Sequence, residues 1–338
     1  MLVIDGSHGE GGGQVLRTSL TMSVLTGISV RIENIRAHRS RPGLMKQHLT
    51  SVLAASAICN ANVVGAELGS LFVEFHPGKV QPGDYRFAVG TAGSATLVLQ
   101  TVLPALMQAD APSTLVLEGG THGANAPSFD FIAHSYLPIV NRMGPQIQAE
   151  LVRYGFYPAG GGQFRITVTP SATLTPVYLL ERGEILQIDI CAVLSRLPKS
   201  IGEREIYMIT SRLGWDRGIG RVEEVRNSIG SGNAVIVTIR STHVTEVFTG
   251  FGQRSISAEK VGQTVANEVQ EYLEAQVPAG HHLADQLMLL LAQAKGGAFR
   301  TISLSQHSQT QLAILTRFLD VRFVKKQINN KVWEIAVV

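Results

Sequence analysis

Apolar positions along the chain follow one plan that is stated three times. In the first statement a glycine-rich entry leads into a helical apolar period near 13–26. Alternating polarity follows near 28–36, then a second helical period near 43–59 and a pair of alternating segments near 61–76. The second statement runs from Tyr85 through FAVGTAGSATLVLQTVLPALM, the strand STLVLEG, a helix from about Pro127 to Met143 and a strand pair ending near Pro170. The third opens at about Pro278 with AGHHLADQLMLLLAQ and continues through AFRTISLS, a helix from His307 to Phe318, and the strands VRFVKKQ and KVWEIAVV. Periods of 3.6 and 2 alternating in this order predict β-α-β-α-β-β units at about 1–80, 84–170 and 278–338. A sheet with two helices on one face leaves apolar helix surface uncovered, and three units packed around a common axis bury those surfaces together. The expected fold class is therefore α/β (α+β).

Residues 182–276 break the plan. They read as the strand ILQIDICAVLS, a helix in EREIYMITSRLG, the strand AVIVTIRS, a segment VTEVFTGFG and an amphipathic helix from about Ser257 to Ala275. This is the pattern of a smaller α/β domain inserted into a large domain made of 1–181 and 277–338.

Composition narrows the class. With 338 residues, 45% of them apolar, the chain can bury a large core. The apolar stretch 95–107 is broken by Gln100, Thr101 and Pro104, too short and too polar for a membrane span. No signal-peptide pattern opens the chain, so a cytoplasmic protein without a membrane anchor is expected. Cys59 and Cys191 lie far apart without metal-ligand spacing and read as buried small residues. A net charge of +3 decides nothing about nucleic acid. The local distribution says more: Arg31, Arg36, Arg39, Arg41 and Lys46, with His38 and His48, stand against the single acid Glu33. That cluster is either a solvated face or an anion site, and it leads into Pro42-Gly43, a helix-start signal whose free N–H groups also favour anions.

Four places hold residues suited to chemistry. DGSHGEGGGQVLRTSL, residues 5–20, offers Glu10, Gln14 and Arg17 beside glycines that let backbone approach a ligand. It is not a P-loop, since no Gly-Lys-Ser/Thr follows, and Gln14 breaks a dinucleotide fingerprint. The basic run adds Arg36, Arg39, Gln47 and His48. Two glycine-rich turns, GGTHGANAP at 119–127 and YPAGGGQF at 157–164, are either plain loops or ligand contacts. His307 in SQHSQT sits where a strand meets a helix. There the helix dipole disfavours imidazolium, and a neutral ring nitrogen is the nucleophilic form. Asp285, near the start of the preceding helix, could accept the other ring N–H and fix the tautomer.

Taken together, GEGGGQVLRTSL, RPGLMKQHL, GTAGSATLVLQTVLPAL, YGFYPAGGGQ, HLADQL and SQHSQT resemble the bacterial RNA 3'-terminal phosphate cyclases over essentially the whole chain. The resemblance implies three units like the C-terminal domain of translation initiation factor three, a plan shared with enolpyruvyl transferases, carrying an inserted α/β domain. It implies ATP and an RNA ending in a 3'-phosphate as substrates, a divalent metal (magnesium or manganese), and a covalent histidinyl-AMP intermediate. By the same resemblance His307 is the nucleophile, Asp285 its orienting partner and Glu10 the metal ligand. Arg17, Arg36, Arg39, Gln47 and His48 face the triphosphate and the RNA terminal phosphate. Gln100, Pro127, Phe131, His282, Asp285 and Gln286 fall at the nucleotide site. His282 stands where the family often has an aromatic, and Ser308, Gln309, Thr310 and Gln311 depart from the usual residues after the nucleophile. Two rivals are a non-catalytic cyclase-like RNA scaffold, which would be expected to lack the nucleophile, and an enolpyruvyl transferase, which the ordered motifs and the insertion disfavour. Oligomeric state is left open by the sequence.

Overall fold

The computed structural model describes every residue of the chain except Glu10. Its first sheet is built from β1 (Leu2–Asp5), α1 (Gly13–Thr26), β2 (Val30–Glu33), α2 (Lys46–Ala57), β3 (Asn62–Val64) and β4 (Val73–His76). The strand order is β1-β2-β4-β3, with β1 and β2 parallel and the other pairs antiparallel. A second sheet follows from β5 (Asp84–Ala88), α3 (Ala95–Leu106), β6 (Ser113–Gly119), α4 (Phe129–Phe131), α5 (Leu137–Arg142), β7 (Gln146–Arg153) and β8 (Gly162–Thr169). Its order is β5-β6-β8-β7, again with one parallel pair at the start. A π-helical turn, Ile132–Tyr136, joins α4 to α5.

The short strand β9 (Tyr178–Leu179) comes next, before the segment that breaks the plan. That segment forms its own sheet from β10 (Ile185–Ser195), β11 (Gly220–Glu224), β12 (Gly232–Ser241) and β13 (Thr245–Phe251), ordered β11-β10-β12-β13. Helices α6 (Lys199–Leu213) and α7 (Ala258–Ala275) pack against each other and on this sheet. The chain ends with α8 (His281–Ala294), β14 (Gly297–Thr301), α9 (Gln306–Phe318), β15 (Phe323–Gln327) and β16 (Trp333–Val337). Their sheet is ordered β15-β16-β14-β9, so its parallel edge strand is β9, with Tyr178 opposite Ala298 and Leu179 opposite Phe299. The sequence pattern, which opened the third unit at Pro278, missed this strand: two residues carry no period. It missed β11 as well, whose GRVEE reads as polar loop.

The helices form for legible reasons. Ser94 caps α3 by accepting the Leu97 N–H at 3.2 Å, Ser257 caps α7 through the Lys260 N–H at 3.2 Å, and Ser305 caps α9 through the Ser308 N–H at 2.9 Å. Helices α1, α3 and α8 are buried along most of their length, so their patterns are apolar all round rather than striped. Thr21 Oγ1 on α1 donates to the Thr101 carbonyl on α3 at 2.9 Å, and Gln293 Nε2 on α8 donates to the Pro104 carbonyl at 3.1 Å. One apolar core joins these helices and all four sheets, and a second is centred on the segment 185–275 and reaches Val277, Ile302 and Val332. Both cysteines are buried and unpaired. No helix among the described residues is long and apolar enough to cross a membrane.

Inside the second core, Glu205 of α6 is fully buried, with Oε1 accepting the Asn233 Nδ2–H at 2.6 Å and Oε2 lacking a partner among the described residues. Burial pushes its pKa from the ordinary 4.5 up to about 7, the hydrogen bond from Asn233 opposing. The native state therefore holds this proton more tightly than the unfolded chain. The associated stability is fully present below about pH 4.5 and is lost as pH rises through about 7. Glu205→Gln keeps the acceptor for Asn233 and removes the titration. Thermal unfolding should show the variant more stable than the parent at pH 8, by up to about 3 kcal/mol, with the difference shrinking towards pH 5.

Candidate functional site

The N-terminal parts of α1, α2, α3, α4, α8 and α9 border a single cavity of about 950 Å³, and α7 supplies a further wall. Exposed N–H groups and aligned dipoles make each such end favourable to anions. Arg17, Arg36, Arg39, Gln47, His48, Gln100, Pro127, Phe131, His282, Asp285, Gln286 and His307 all line this cavity. They come from the first hundred, the middle and the last sixty residues of the chain. Glu10, the expected metal ligand, lies outside the described residues.

On α1, Gly13 shows why the opening stretch is glycine-rich. A Cβ there would lie 2.4 Å from His48 Nε2 and 2.8 Å from Arg17 Nη1. The missing side chain lets the histidine and the guanidinium reach the pocket wall. Arg17 has no ion-pair partner among the described residues, and burial lowers its pKa to about 10, which leaves it charged at neutral pH. Arg36 sits in the left-handed region at φ +56°. Its Nη1 donates to the carbonyls of Arg41 at 2.6 Å and Gly43 at 3.0 Å, which fixes the turn ahead of α2. Its pKa is lowered by burial and then by the nearby Arg39 cation.

His48 cannot carry charge in this company. Burial first, then the cations of Arg17 and Arg36, depress its pKa to about 3. Its Nδ1 accepts the Met45 N–H at 3.3 Å, so the neutral ring bears its proton on Nε2 and acts as a donor there. Gln47 is fixed through Oε1, which accepts the Ser94 N–H at 2.6 Å and ties the start of α2 to the cap of α3. Gln100 Nε2 donates to Gln286 Oε1 at 2.6 Å, linking α3 to α8.

His307 occupies the second position of α9. Its Nδ1 lies 2.9 Å from Gln14 Oε1, while Gln14 Nε2 donates to Gln311 Oε1 at 3.1 Å. With the Gln14 amide oriented that way, Oε1 is an acceptor for an N–H on Nδ1. Asp285 was expected to accept a ring N–H of His307; the acceptor found at Nδ1 is Gln14 Oε1 on α1. Asp285 Oδ1 accepts the hydroxyls of Ser305, at 3.0 Å, and Ser308. Burial raises the Asp285 pKa, opposed by those two hydroxyls and by His307. Burial lowers the pKa of His282, with Asp285 opposing.

The two glycine-rich turns part company. Residues 120, 121 and 123–128 line the cavity, with Thr96 Oγ1 donating to the Pro127 carbonyl at 2.8 Å. Beneath them His122 Nε2 donates to Asp130 Oδ2 at 2.6 Å, and its Nδ1 accepts the Thr121 hydroxyl at 2.8 Å. Thr121 Oγ1 in turn accepts the Gly155 N–H at 2.9 Å. Residues 157–162, by contrast, are not part of the cavity wall. A Cβ on Gly161, at φ +64°, would lie 2.1 Å from Ile229 Cδ1, so this turn is shaped to seat the β11–β12 loop. A further wall was missed altogether: Val247, Thr249 and Phe251 of β13 and Lys260, Thr264 and Glu268 of α7 all border the cavity. The only sequence signal for them was the Gly250-Phe251-Gly252 break between a strand and the Ser257 cap.

A sequence model of the RNA 3'-terminal phosphate cyclases matches residues 8–324. The RNA 3'-terminal phosphate cyclase of Koribacter versatilis is 50% identical over 330 residues, 98% of this chain and 93% of that protein. That of Ralstonia nicotianae is 47% identical over 319 residues, 94% of this chain and 91% of the relative. That of Salmonella typhimurium is 45% identical over 323 residues, 96% and 95% respectively. A match of this breadth takes in the helix ends that build the cavity as well as the segment inserted between β9 and α8, and on it the chain belongs to the RNA 3'-terminal phosphate cyclase family.

Proposed function

We propose that this protein uses ATP to convert an RNA 3'-terminal phosphate into a 2',3'-cyclic phosphate through a covalent histidinyl-AMP intermediate. The observation that carries this reading is the His307 imidazole, whose Nδ1 lies 2.9 Å from Gln14 Oε1, on the wall of a cavity also lined by Arg17, Arg36 and Arg39. Nε2 of His307 attacks the α-phosphorus of ATP; the bond to the bridging oxygen breaks and pyrophosphate leaves. The RNA 3'-phosphate then attacks the same phosphorus, the P–N bond breaks, and the histidine is freed. Last, the vicinal 2'-hydroxyl attacks the RNA phosphorus, loses its proton and expels AMP. A phosphate monoester has no good leaving group of its own, adenylylation gives it one, and the neighbouring hydroxyl adds a proximity advantage.

Arg17, Arg36, Arg39 and Gln47 neutralise and orient phosphate oxygens in this reading, guanidinium forks being suited to that geometry. Neutral His48 donates from Nε2. Asp285 positions the start of α9 through Ser305 and Ser308 and so acts on His307 indirectly. Gln100, Pro127, Phe131, His282 and Gln286 hold the nucleoside. A divalent cation, magnesium or manganese, would shield the triphosphate. One carboxylate, Glu10, would hold it together with phosphate oxygens and water. The architecture proposed to carry this site is three units like the C-terminal domain of translation initiation factor three around a common axis, with residues 182–276 inserted as a smaller domain in a cytoplasmic enzyme.

Incubation with α-labelled ATP and magnesium should give an acid-labile, alkali-stable adduct, the stability pattern of a phosphoramidate. His307→Ala should abolish it; labelling at the parental level would remove His307 as nucleophile. Gln14→Ala frees the imidazole to populate the wrong tautomer, so the labelling rate should fall roughly ten-fold at little change in the KM for ATP. A pure rise in KM would make Gln14 a substrate contact instead. For Glu10→Ala, labelling should drop and recover in part with excess magnesium or manganese, whereas an unchanged metal titration would remove Glu10 as ligand.

A further inference from the structure

A cavity that receives several phosphates repels carboxylates, so each acid on its wall calls for a partner. Among the described lining residues there are two, Asp285 and Glu268. Asp285 is satisfied by two hydroxyls. Glu268 is half-buried on α7, and no described residue donates a hydrogen bond to it. Its neighbour His281 is already engaged, with Nε2 3.5 Å from Glu271 Oε2 and Nδ1 3.1 Å from the Ser303 carbonyl. Burial first and the like charge of Glu271 raise the Glu268 pKa, as expected of an acceptor short of donors. Together with His282 and Val247, Glu268 forms the partition between the large cavity and a smaller one of about 180 Å³ behind it.

The arrangement along α7 has a polarity. Lys260, Thr264 and Glu268 recur at intervals of four, so they lie on one helix face, and all three border the cavity. The cation is at the start of that face and the carboxylate two turns on, roughly 12 Å further along the axis. In an adenine nucleotide the phosphates and the 6-amino group are the two ends of the molecule, and the ribose hydroxyls lie between them. Glu268 stands with His282, a residue expected at the nucleotide site, on the wall shared by the two cavities, and an acceptor there without a donor among the described residues matches the amino edge of the base.

We propose that Glu268 reads the nucleobase, accepting the 6-amino hydrogens of adenine and rejecting purines that carry an oxygen at that position. A base with O6 would set two acceptors against each other in a partly desolvated site, an arrangement that discriminates far more sharply than lost apolar contact. This inference rests on the proposed use of ATP and deepens it.

The test compares histidine labelling by ATP, ITP, GTP and 2'-deoxy-ATP in the parent and in Glu268→Gln, with Glu268→Ala as a second variant and thermal unfolding as the check on folding. Glutamine is isosteric and can donate to O6. The parent should prefer ATP over ITP and GTP, and Glu268→Gln should narrow that ratio at least about ten-fold, while the preference of ATP over 2'-deoxy-ATP stays unchanged. Glu268→Ala should lose efficiency with ATP without gaining with ITP. An unaltered ATP-to-ITP ratio in a folded Glu268→Gln overturns the inference, as does a parent that does not discriminate. A change confined to the 2'-deoxy-ATP ratio overturns it too, by giving the carboxylate to the ribose. If the parent fails to label with any nucleotide, the ATP reading itself falls, which is a separate result.

Discussion

Most of the structure follows from one constraint: several helices must start at the same place. The N-terminal parts of α1, α2, α3, α4, α8 and α9 face one cavity, so their positive ends are brought together and the site is cationic before any side chain is counted. Arginines added to that field would be costly without acids, and the protein accepts the cost, leaving Arg17 charged and partly buried with no ion pair among the described residues. His48 shows the limit of what the field tolerates, since a third positive group beside Arg17 and Arg36 is held neutral. Such a site is stabilised by whatever polyanion fills it.

The hydrogen bonds around the cavity cross between helices far apart in sequence. Gln14 joins α1 to α9, Gln47 joins α2 to α3, and Gln100 joins α3 to α8. Amides suit this task because each offers a donor and an acceptor and adds no charge to a field that is already strongly positive. Gln47 and Gln100 each engage the neighbouring helix through one half of the amide, and Gln14 through both halves. The geometry of His307 thus depends on α1 as much as on its own helix.

Elements with a strong period were legible from the chain itself. Helices α1, α3, α7 and α8 fall within a few residues of where their patterns put them, because long apolar repeats and serine caps act locally. The cavity lining was legible residue by residue through family resemblance, which encodes what local pattern cannot: that positions near 17, 48, 285 and 307 meet. What was not legible depends on tertiary contact alone. Strand β9 is too short to have a period, and β11 pairs through backbone while its side chains stay polar. The glycine turn at 157–164 reads in sequence as either a plain loop or a ligand contact, and the close approach of Gly161 to Ile229 comes from a loop that no local pattern announces. The α7 wall and Glu268 were invisible because a single acid on an amphipathic helix ordinarily means a solvated face.

Strand β9 imposes an order of events on the growing chain. Tyr178 and Leu179 leave the ribosome ahead of the whole segment from β10 to α7, while their partners, Ala298 and Phe299, emerge after it. The last sheet cannot close until both have been made, and the segment between them is obliged to fold with its two ends held apart or still unpaired. Since α9 follows β14 directly, the imidazole of His307 is among the last side chains to be delivered to the site. A nascent chain halted anywhere before that point carries Arg17, Arg36 and Arg39 without the imidazole that completes the cavity wall.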